Sequence, residues 1–407
     1  MRRMCAFANS LTPRVSVHTV QSGAPKSAND GTSNKELLVN EKSAVRMQSF
    51  YTRTVWTLAM LGGFSAVIAG GQLPLCLMVL AMQVVMFSEI VSLVRSRNEA
   101  RELPGFRNWY WFTLVVTVFF TVGRMLREPL SQLAAATGTS WIFRYHTFVS
   151  FTLMVVAFVA FVFSLKKGHY GYQVKMFGWV ILVDLLVVAQ SSTILANVFQ
   201  GMIWTVLPIL LIISNDIFSY IVGFFFGRTR LIKLSPKKTW EGFAGGAFCT
   251  AFATVLLASV LQRYEFWVCP KTDGFSLGWS RCEIDPMFVP SVSLPVVGVT
   301  VSEFQLHALA LGMFASIVAP FGGFFASGIK RAIGAKDFGT SIPGHGGLTD
   351  RMDCQILMGC FVYVYFHAFC RRVAVTVPSV VASFLSLTPE EQLEAFSQLG
   401  DFMRLAH

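Results

Sequence analysis

Residues 341–369 read "SIPGHGGLTDRMDCQILMGCFVYVYFHAF". The first half is polar and glycine-rich and leads into Asp350, Arg351 and Asp353; the second half is almost wholly apolar. Acids inside a membrane helix are costly, so they belong where the helix meets water and has something to bind. If the helix starts near Thr349, Asp350 and Asp353 share a face. Adjacent carboxylates repel unless a cation joins them. A hard divalent ion such as Mg2+ accepts carboxylate oxygens together with substrate phosphates.

The apolar half of this stretch is one of many. Of 407 residues 54% are hydrophobic and 14% charged, against about 25% charged in soluble proteins. Mean hydropathy is +0.57. Apolar segments fall at 54–71, 73–94, 109–123, 145–165, 176–196, 202–227, 243–262, 305–326 and 354–370. Runs of about 20 apolar residues cross a bilayer as helices, which satisfy their own backbone polar groups. The expected fold is therefore all-α: a polytopic integral membrane protein of about nine transmembrane helices.

The net charge of +11 does not indicate nucleic-acid binding, because the cations lie between apolar segments. Arg46 and Arg53, Arg95 to Arg107, Lys166 to Lys175, Arg228 to Lys238, and Lys330 to Lys336 all fall on one side of a nine-helix arrangement. The positive-inside rule makes that side cytosolic. Residues 124–144 are the exception, with Arg124, Arg127 and Arg144 on the opposite side.

Residues 1–45 are polar and read as a disordered tail. They carry Arg2, Arg3 and Arg14 and no acid before Asp30, which is also the composition of an organelle transit peptide. Residues 46–385 form the membrane domain. Within it, 263–304 is a long loop on the non-cytosolic side, where Cys269 and Cys282 are expected to pair. Residues 386–407 read as an amphipathic helix capped at Thr388, with Leu393, Phe396, Leu399 and Phe402 on one face.

Two polar segments reach the cytosolic face: "NDIFSYIVGFFFGRTRLIKLSPKKTWEGFAGG" (215–246) and "SGIKRAIGAKDFGTSIPGHGGLTDRMD" (327–353). In the second, the glycines around His345 allow close backbone approach and an anion-binding nest. Lys330, Arg331 and Lys336 add positive charge. Any one of these features alone is an ordinary loop or helix start; gathered in one short segment they describe a polyphosphate site. In the first, Asp216 interrupts an apolar helix and is expected to ligate metal or pair with a cation. Ser235 opens a Ser-Pro turn, and Lys237 and Lys238 are expected to meet lipid headgroups or nucleotide phosphates. Glu241 would pair with a lysine or cap the helix near Gly242. Glu89 would pair with a loop arginine, and Asp184 has no assigned role.

At these residues the sequence resembles the eukaryotic branch of the phosphatidate cytidylyltransferase, or CDP-diacylglycerol synthase, family. The resemblance rests on Ser327, Lys330-Arg331, Lys336-Asp337, Gly339, Pro343, His345-Gly346-Gly347 and Asp350-Arg351-x-Asp353, with "LSPKKTWEGF", "WTLAMLGGF" and "FQGMIW" elsewhere. It implies transfer of the cytidylyl group of CTP to phosphatidic acid, giving CDP-diacylglycerol and pyrophosphate in phospholipid biosynthesis. It also implies Mg2+, with a second, monovalent cation in bacterial relatives, a homodimer, and an endoplasmic reticulum membrane. The inner mitochondrial membrane is the alternative left by the N-terminal tail.

Carried over by motif, Asp350 is the principal metal ligand, supported by Asp353. Lys330 and Ser327 contact phosphates, Asp337 orders the loop or assists the metal, and His345 holds the lipid or leaving phosphate. Ser235, Lys237, Lys238, Arg331, Lys336, Gly346, Gly347 and Arg351 complete the substrate site. Bacterial members place an acid where this chain has Gly323; Asp216 is the candidate replacement. The alternatives are a CTP-dependent polyprenol or dolichol kinase, and a membrane transporter. The gathering of polar groups at one face disfavours the transporter.

Overall fold

The computed structural model describes residues 31–95, 103, 105–127, 134, 137–270, 282–294, 299–371, 380–381, 384–385 and 387–405. Two units divide at the start of the apolar run: Met1–Val55 and Trp56–His407. In the first unit the described residues are helical, forming the start of α1 (Gly31–Ala69). Residues 31–45, expected to be part of a disordered tail, are thus helix. Their run "NKELLVNEK" consists largely of good helix formers, and polar composition does not prevent a solvated helix. Residues 1–30 lie outside the described residues.

All nine apolar segments fall on helices. After α1 come α2 (Gln72–Val94), α3 (Phe106–Leu126), α4 (Ser140–Ser164), α5 (Tyr170–Phe199), α6 (Ile203–Phe226), α7 (Trp240–Leu261), α8 (Glu303–Ile333) and α9 (Thr349–Cys370). Among the described residues eight of these, α2 to α9, are long and apolar enough to cross a membrane. In α1 only the C-terminal part is apolar, which is why the count is eight, one fewer than the apolar segments. The protein is an integral membrane protein with an all-α membrane domain. Two small hairpins interrupt it: β1 (Arg230–Ile232) with β2 (Ser235–Thr239), and β3 (Pro290–Leu294) with β4 (Val299–Ser302).

Packing centres on α9. Its Met358 and Val362 join a core built from α6, α7 and α8, including Trp204, Leu207, Phe304 and Leu311. Its Ile356 joins a second core with Phe87, Trp109, Met176 and Val180 from α2, α3 and α5. Close helix approach uses small residues, as lipid-embedded bundles require. A Cβ on Gly242 of α7 would lie 2.7 Å from the Ser219 carbonyl oxygen of α6. Asn197 Nδ2 of α5 donates to the Gly359 carbonyl of α9 at 2.9 Å.

The loop between α7 and α8 contains the expected Cys269–Cys282 disulfide. The C-terminal helix α10 (Pro389–Leu405) begins with Thr388 and Glu391 in reciprocal contact: the Thr388 N–H donates to Glu391 Oε2 at 2.9 Å. The hydrogen bonds from Thr388 hold the Glu391 carboxyl below its ordinary range.

Candidate active site

The N-terminus of α9 has no capping side chain of its own. Its cap comes from Glu89, near the end of α2 and buried at 6% exposure. Glu89 Oε1 accepts from the Leu348 N–H at 2.9 Å; Oε2 accepts from the Thr349 N–H at 2.9 Å and the Thr349 hydroxyl at 2.7 Å. The Ser341 hydroxyl donates to the same carboxylate. Glu89 therefore pairs with the glycine loop, in place of the expected loop arginine. An anion at a helix N-terminus, on unsatisfied N–H groups, is strongly favoured.

Asp350 is a second knot. Its Oδ1 lies 2.6 Å from Lys330 Nζ, with the two side chains 9% and 11% exposed. Its Oδ2 accepts from the N–H of Phe338 at 2.9 Å and of Gly347 at 3.1 Å. Both carboxylate oxygens are thus engaged in fastening the loop to the end of α8. Asp350, expected as the principal metal ligand, here has Lys330 and two backbone N–H groups as partners. Lys330 correspondingly holds Asp350 and lies over the Phe338 ring, 5.3 Å from its centroid.

The loop's glycines fit this packing. Gly334 ends α8 in the left-handed region, φ 74°, and Gly346 sits at φ 85° beside Asp337. Ile342 pairs with Gly346 across the turn. A Cβ on Gly347 would lie 2.7 Å from the Gly339 nitrogen and 2.8 Å from Glu89 Oε2. Gly347→Ala is expected to cost about 1–3 kcal/mol through overpacking and to remove most activity. Gly178→Ala, where nothing lies within 4 Å, is the control; thermal unfolding and turnover of both check this.

Asp353 faces α8 as Asp350 does. A Cβ on Gly322 would lie 2.8 Å from the Asp353 carbonyl oxygen, and one on Gly323 3.3 Å from Asp353 Oδ2. A side chain at position 323 would therefore press on Asp353 and on Cys354, whose Sγ is also 3.3 Å from that Cβ. Asp216, on α6, is close enough to Asp353 for their charges to act on each other, and its charge also interacts with Lys238 and Arg351. Lys238 Nζ is 4.0 Å from Asp216 Oδ1, with side-chain exposures of 42% and 62%. The charges of the two polar segments thus lie within electrostatic reach of one another, Asp216 and Lys238 on one and Arg351 and Asp353 on the other.

His345 Nε2 lies 3.2 Å from the Thr57 hydroxyl of α1, while its buried Nδ1 has no hydrogen-bond partner among the described residues. Arg351 Nη2 donates to the His345 carbonyl at 3.0 Å. Lys336 and Asp337 on the loop and Arg331 in the last turn of α8 are exposed, with Arg331 Nη1 donating to the Ala335 carbonyl.

Ser327 and Glu241 have partners that the sequence reading did not name. The Ser327 hydroxyl donates to the Gly323 carbonyl at 2.8 Å, one turn back in its helix. Among the described side chains Glu241 meets no lysine, and it does not cap α7. It accepts from the N–H groups of Arg228 and Thr229 and from the Thr229 hydroxyl, while Thr239 caps the helix. Ser235 and Lys237 lie on β2, and the Lys237 side chain is outside those described.

Among the described residues no three His, Cys, Asp or Glu side chains gather into a metal cage. The Asp216–Asp353 pair still suits Mg2+, which typically takes one or two carboxylates and completes its shell with water and phosphate. Neighbouring carboxylates on separate helices are the arrangement that a cation relieves.

A membrane bundle that gathers carboxylates, cations and a glycine loop at one end of its spans is a scaffold for handling phosphates at a bilayer surface. The cytidylyltransferase family model matches residues 51–369, most of the chain, and the protein belongs to that family. The chain is 43% identical over 383 residues to phosphatidate cytidylyltransferase 1 of Arabidopsis thaliana, covering 90% of each. It is 42% identical over 369 residues to phosphatidate cytidylyltransferase 2 of Homo sapiens, covering 87% of this chain and 82% of the human one.

Proposed function

We propose that the protein transfers the cytidylyl group of CTP to phosphatidic acid, forming CDP-diacylglycerol and pyrophosphate. The observation that carries this is a cavity of about 300 Å³ between α2, α5, α8 and α9. Its walls are apolar, with Trp179, Leu186, Phe321, Phe325 and Ile356, yet Thr349 and Asp353 also line it. Hydrocarbon space adjoining a phosphate-handling cluster suits a substrate with acyl chains and a phosphate head.

In this reaction a phosphate oxygen of phosphatidic acid attacks the α-phosphorus of CTP, and the bond to the β-phosphate oxygen breaks as pyrophosphate leaves. Such transfers depend on positioning and charge neutralisation. Lys238 beside Asp216 and Arg351 at the start of α9 meet the phosphates, with Lys237 of β2, Arg331 of α8 and Lys336 of the glycine loop. His345 Nδ1 offers a hydrogen bond to a phosphate oxygen. Lys330 and Asp350 keep the loop in place, and Glu89 fixes the start of α9. Asp216 and Asp353 would hold Mg2+, which supplies neutralising charge to the triphosphate when bound.

We place the protein as a homodimer in the endoplasmic reticulum membrane, with the basic loops and the catalytic face toward the cytosol. That face gives access to soluble CTP and to the headgroup of a membrane lipid together.

Purified protein supplied with CTP, phosphatidic acid and Mg2+ is expected to release pyrophosphate; release of CDP would mark a lipid kinase. Asp216→Asn is expected to raise the Mg2+ concentration for half-maximal activity by at least about tenfold. An unchanged Mg2+ titration removes Asp216 from the metal site.

A further inference from the structure

The segment "WTLAMLGGF", residues 56–64, carries part of the family resemblance, yet it contributes none of the carboxylates, cations or loop glycines of the active site. It lies on α1, where Trp56 to Gly63 are exposed and Phe64, Val67 and Ile68 pack against Leu75, Val79 and Ile194 of α2 and α5. Lipid covers an exposed apolar helix face without calling for particular residues. Thr57 is a hydroxyl among leucine, alanine, methionine and glycine. Its oxygen lies 3.2 Å from Nε2 of His345, 288 residues away in the glycine loop.

The loop itself fixes the His345 backbone on both sides. Its N–H donates to the Ile342 carbonyl at 3.0 Å, and its carbonyl accepts from Arg351 Nη2 at 3.0 Å. Gly344 and Gly346 flank it at φ 77° and 85°, a left-handed turn that glycine adopts without strain. The ring is held from elsewhere: Nε2 meets Thr57, while Nδ1 is buried and has no hydrogen-bond partner among the described residues. The imidazole χ2 is soft, so a contact at Nε2 decides where Nδ1 lies. A hydroxyl can donate to or accept from an imidazole nitrogen and keeps capacity for other partners. Thr57 therefore suits both the neutral and the protonated ring. A buried polar atom without a partner is costly, and a phosphate oxygen at Nδ1 would remove that cost.

We propose that Thr57 is a positioning residue for the transfer reaction: it holds the His345 ring through Nε2 so that Nδ1 meets a phosphate oxygen of the substrate. The inference rests on the proposed role of His345 as a phosphate contact. It gives the apolar part of α1 a place in the site. Glu89 and Asp350 fasten the backbone around the glycine loop, and Thr57 orients the loop's histidine from outside it.

The test uses full-length protein in detergent with CTP, phosphatidic acid and Mg2+. Thr57→Val keeps the shape and loses the hydroxyl; Thr57→Ser keeps the hydroxyl. Thr57→Val is expected to lower kcat/KM about tenfold or more, as a misplaced contact group does, with thermal unfolding unchanged. Thr57→Ser is expected to stay within about threefold of wild type. In a His345→Gln background Thr57→Val is expected to add no further loss, because the two residues act as a unit. Wild-type kcat/KM in Thr57→Val, a loss that Thr57→Ser shares, or an equal further loss in the His345→Gln background overturns the inference and leaves the reaction in place. Absence of transfer by folded wild-type protein overturns the proposed function and this inference together. If Thr57→Val does not fold, Thr57→Ala against Thr57→Ser gives the same comparison.

Discussion

Asp350→Ala is expected to abolish turnover and to destabilise the protein together. The substitution leaves Lys330, whose side chain is 11% exposed, as a buried cation without its partner. It also strands the N–H groups of Phe338 and Gly347, which Asp350 accepts. Breaking a buried ion pair from one side costs about 3–5 kcal/mol. The loop from Gly334 to Leu348 would lose its attachment to the end of α8, and a misplaced catalytic loop costs about 10²-fold or more. Lys330→Met in the Asp350→Ala background is expected to recover part of the stability and none of the activity, because it removes the uncompensated charge without restoring the loop. Thermal unfolding and turnover of the two single variants and the double variant complete the cycle. Wild-type stability in Asp350→Ala would show that the carboxylate does not hold the loop.

Glu89→Gln is the second large effect. Glutamine keeps one carbonyl oxygen and replaces the other with an NH2 group, which would face the N–H groups of Leu348 or Thr349. Hydrogen bonds to a charged acceptor contribute about 1.5–3 kcal/mol each, and the buried N–H groups left unsatisfied add to the loss. A stability loss of about 2–4 kcal/mol is expected, with activity falling about 10²-fold as the loop shifts. Glu89 is a positioning residue, so its signature is structural: limited proteolysis within 334–348 should accelerate in Glu89→Gln and stay at the wild-type rate in Asp216→Asn. Equal proteolysis in both would remove Glu89 from the support of the site.

The contrast between these residues shows what was legible in the sequence. Helix positions follow from apolar runs, which is why all nine segments coincide with helices and why Thr349 is where α9 begins. The gathering of 215–246 with 327–353 is expected from topology, and Asp216 of the first lies within electrostatic reach of Asp353 of the second. What pattern does not carry is which partner a side chain chooses. Asp350 and Asp353 are three residues apart in one motif, yet one serves the loop backbone and the other lies against Gly323 of α8, within electrostatic reach of Asp216. Glu89 is a lone acid in an apolar helix, more than two hundred residues away from the loop it caps. Its cost in a membrane helix was the available signal, but only the packing of α2 against the start of α9 identifies its partners. Glycine roles divide similarly: Gly323 is open to any reading in sequence, and only the fold shows that a Cβ there would lie 3.3 Å from both Asp353 Oδ2 and Cys354 Sγ.

The central claim is transfer of a cytidylyl group to a lipid phosphate by this cluster. Its most direct test is to incubate purified protein, phosphatidic acid and Mg2+ with CTP labelled at either the α- or the γ-phosphate, and to follow label into the lipid extract. The predicted result is α-label in the lipid and γ-label in pyrophosphate, with both lost in a folded Asp353→Asn variant. Entry of γ-label into the lipid, or no labelled lipid from folded wild-type protein, would contradict the account.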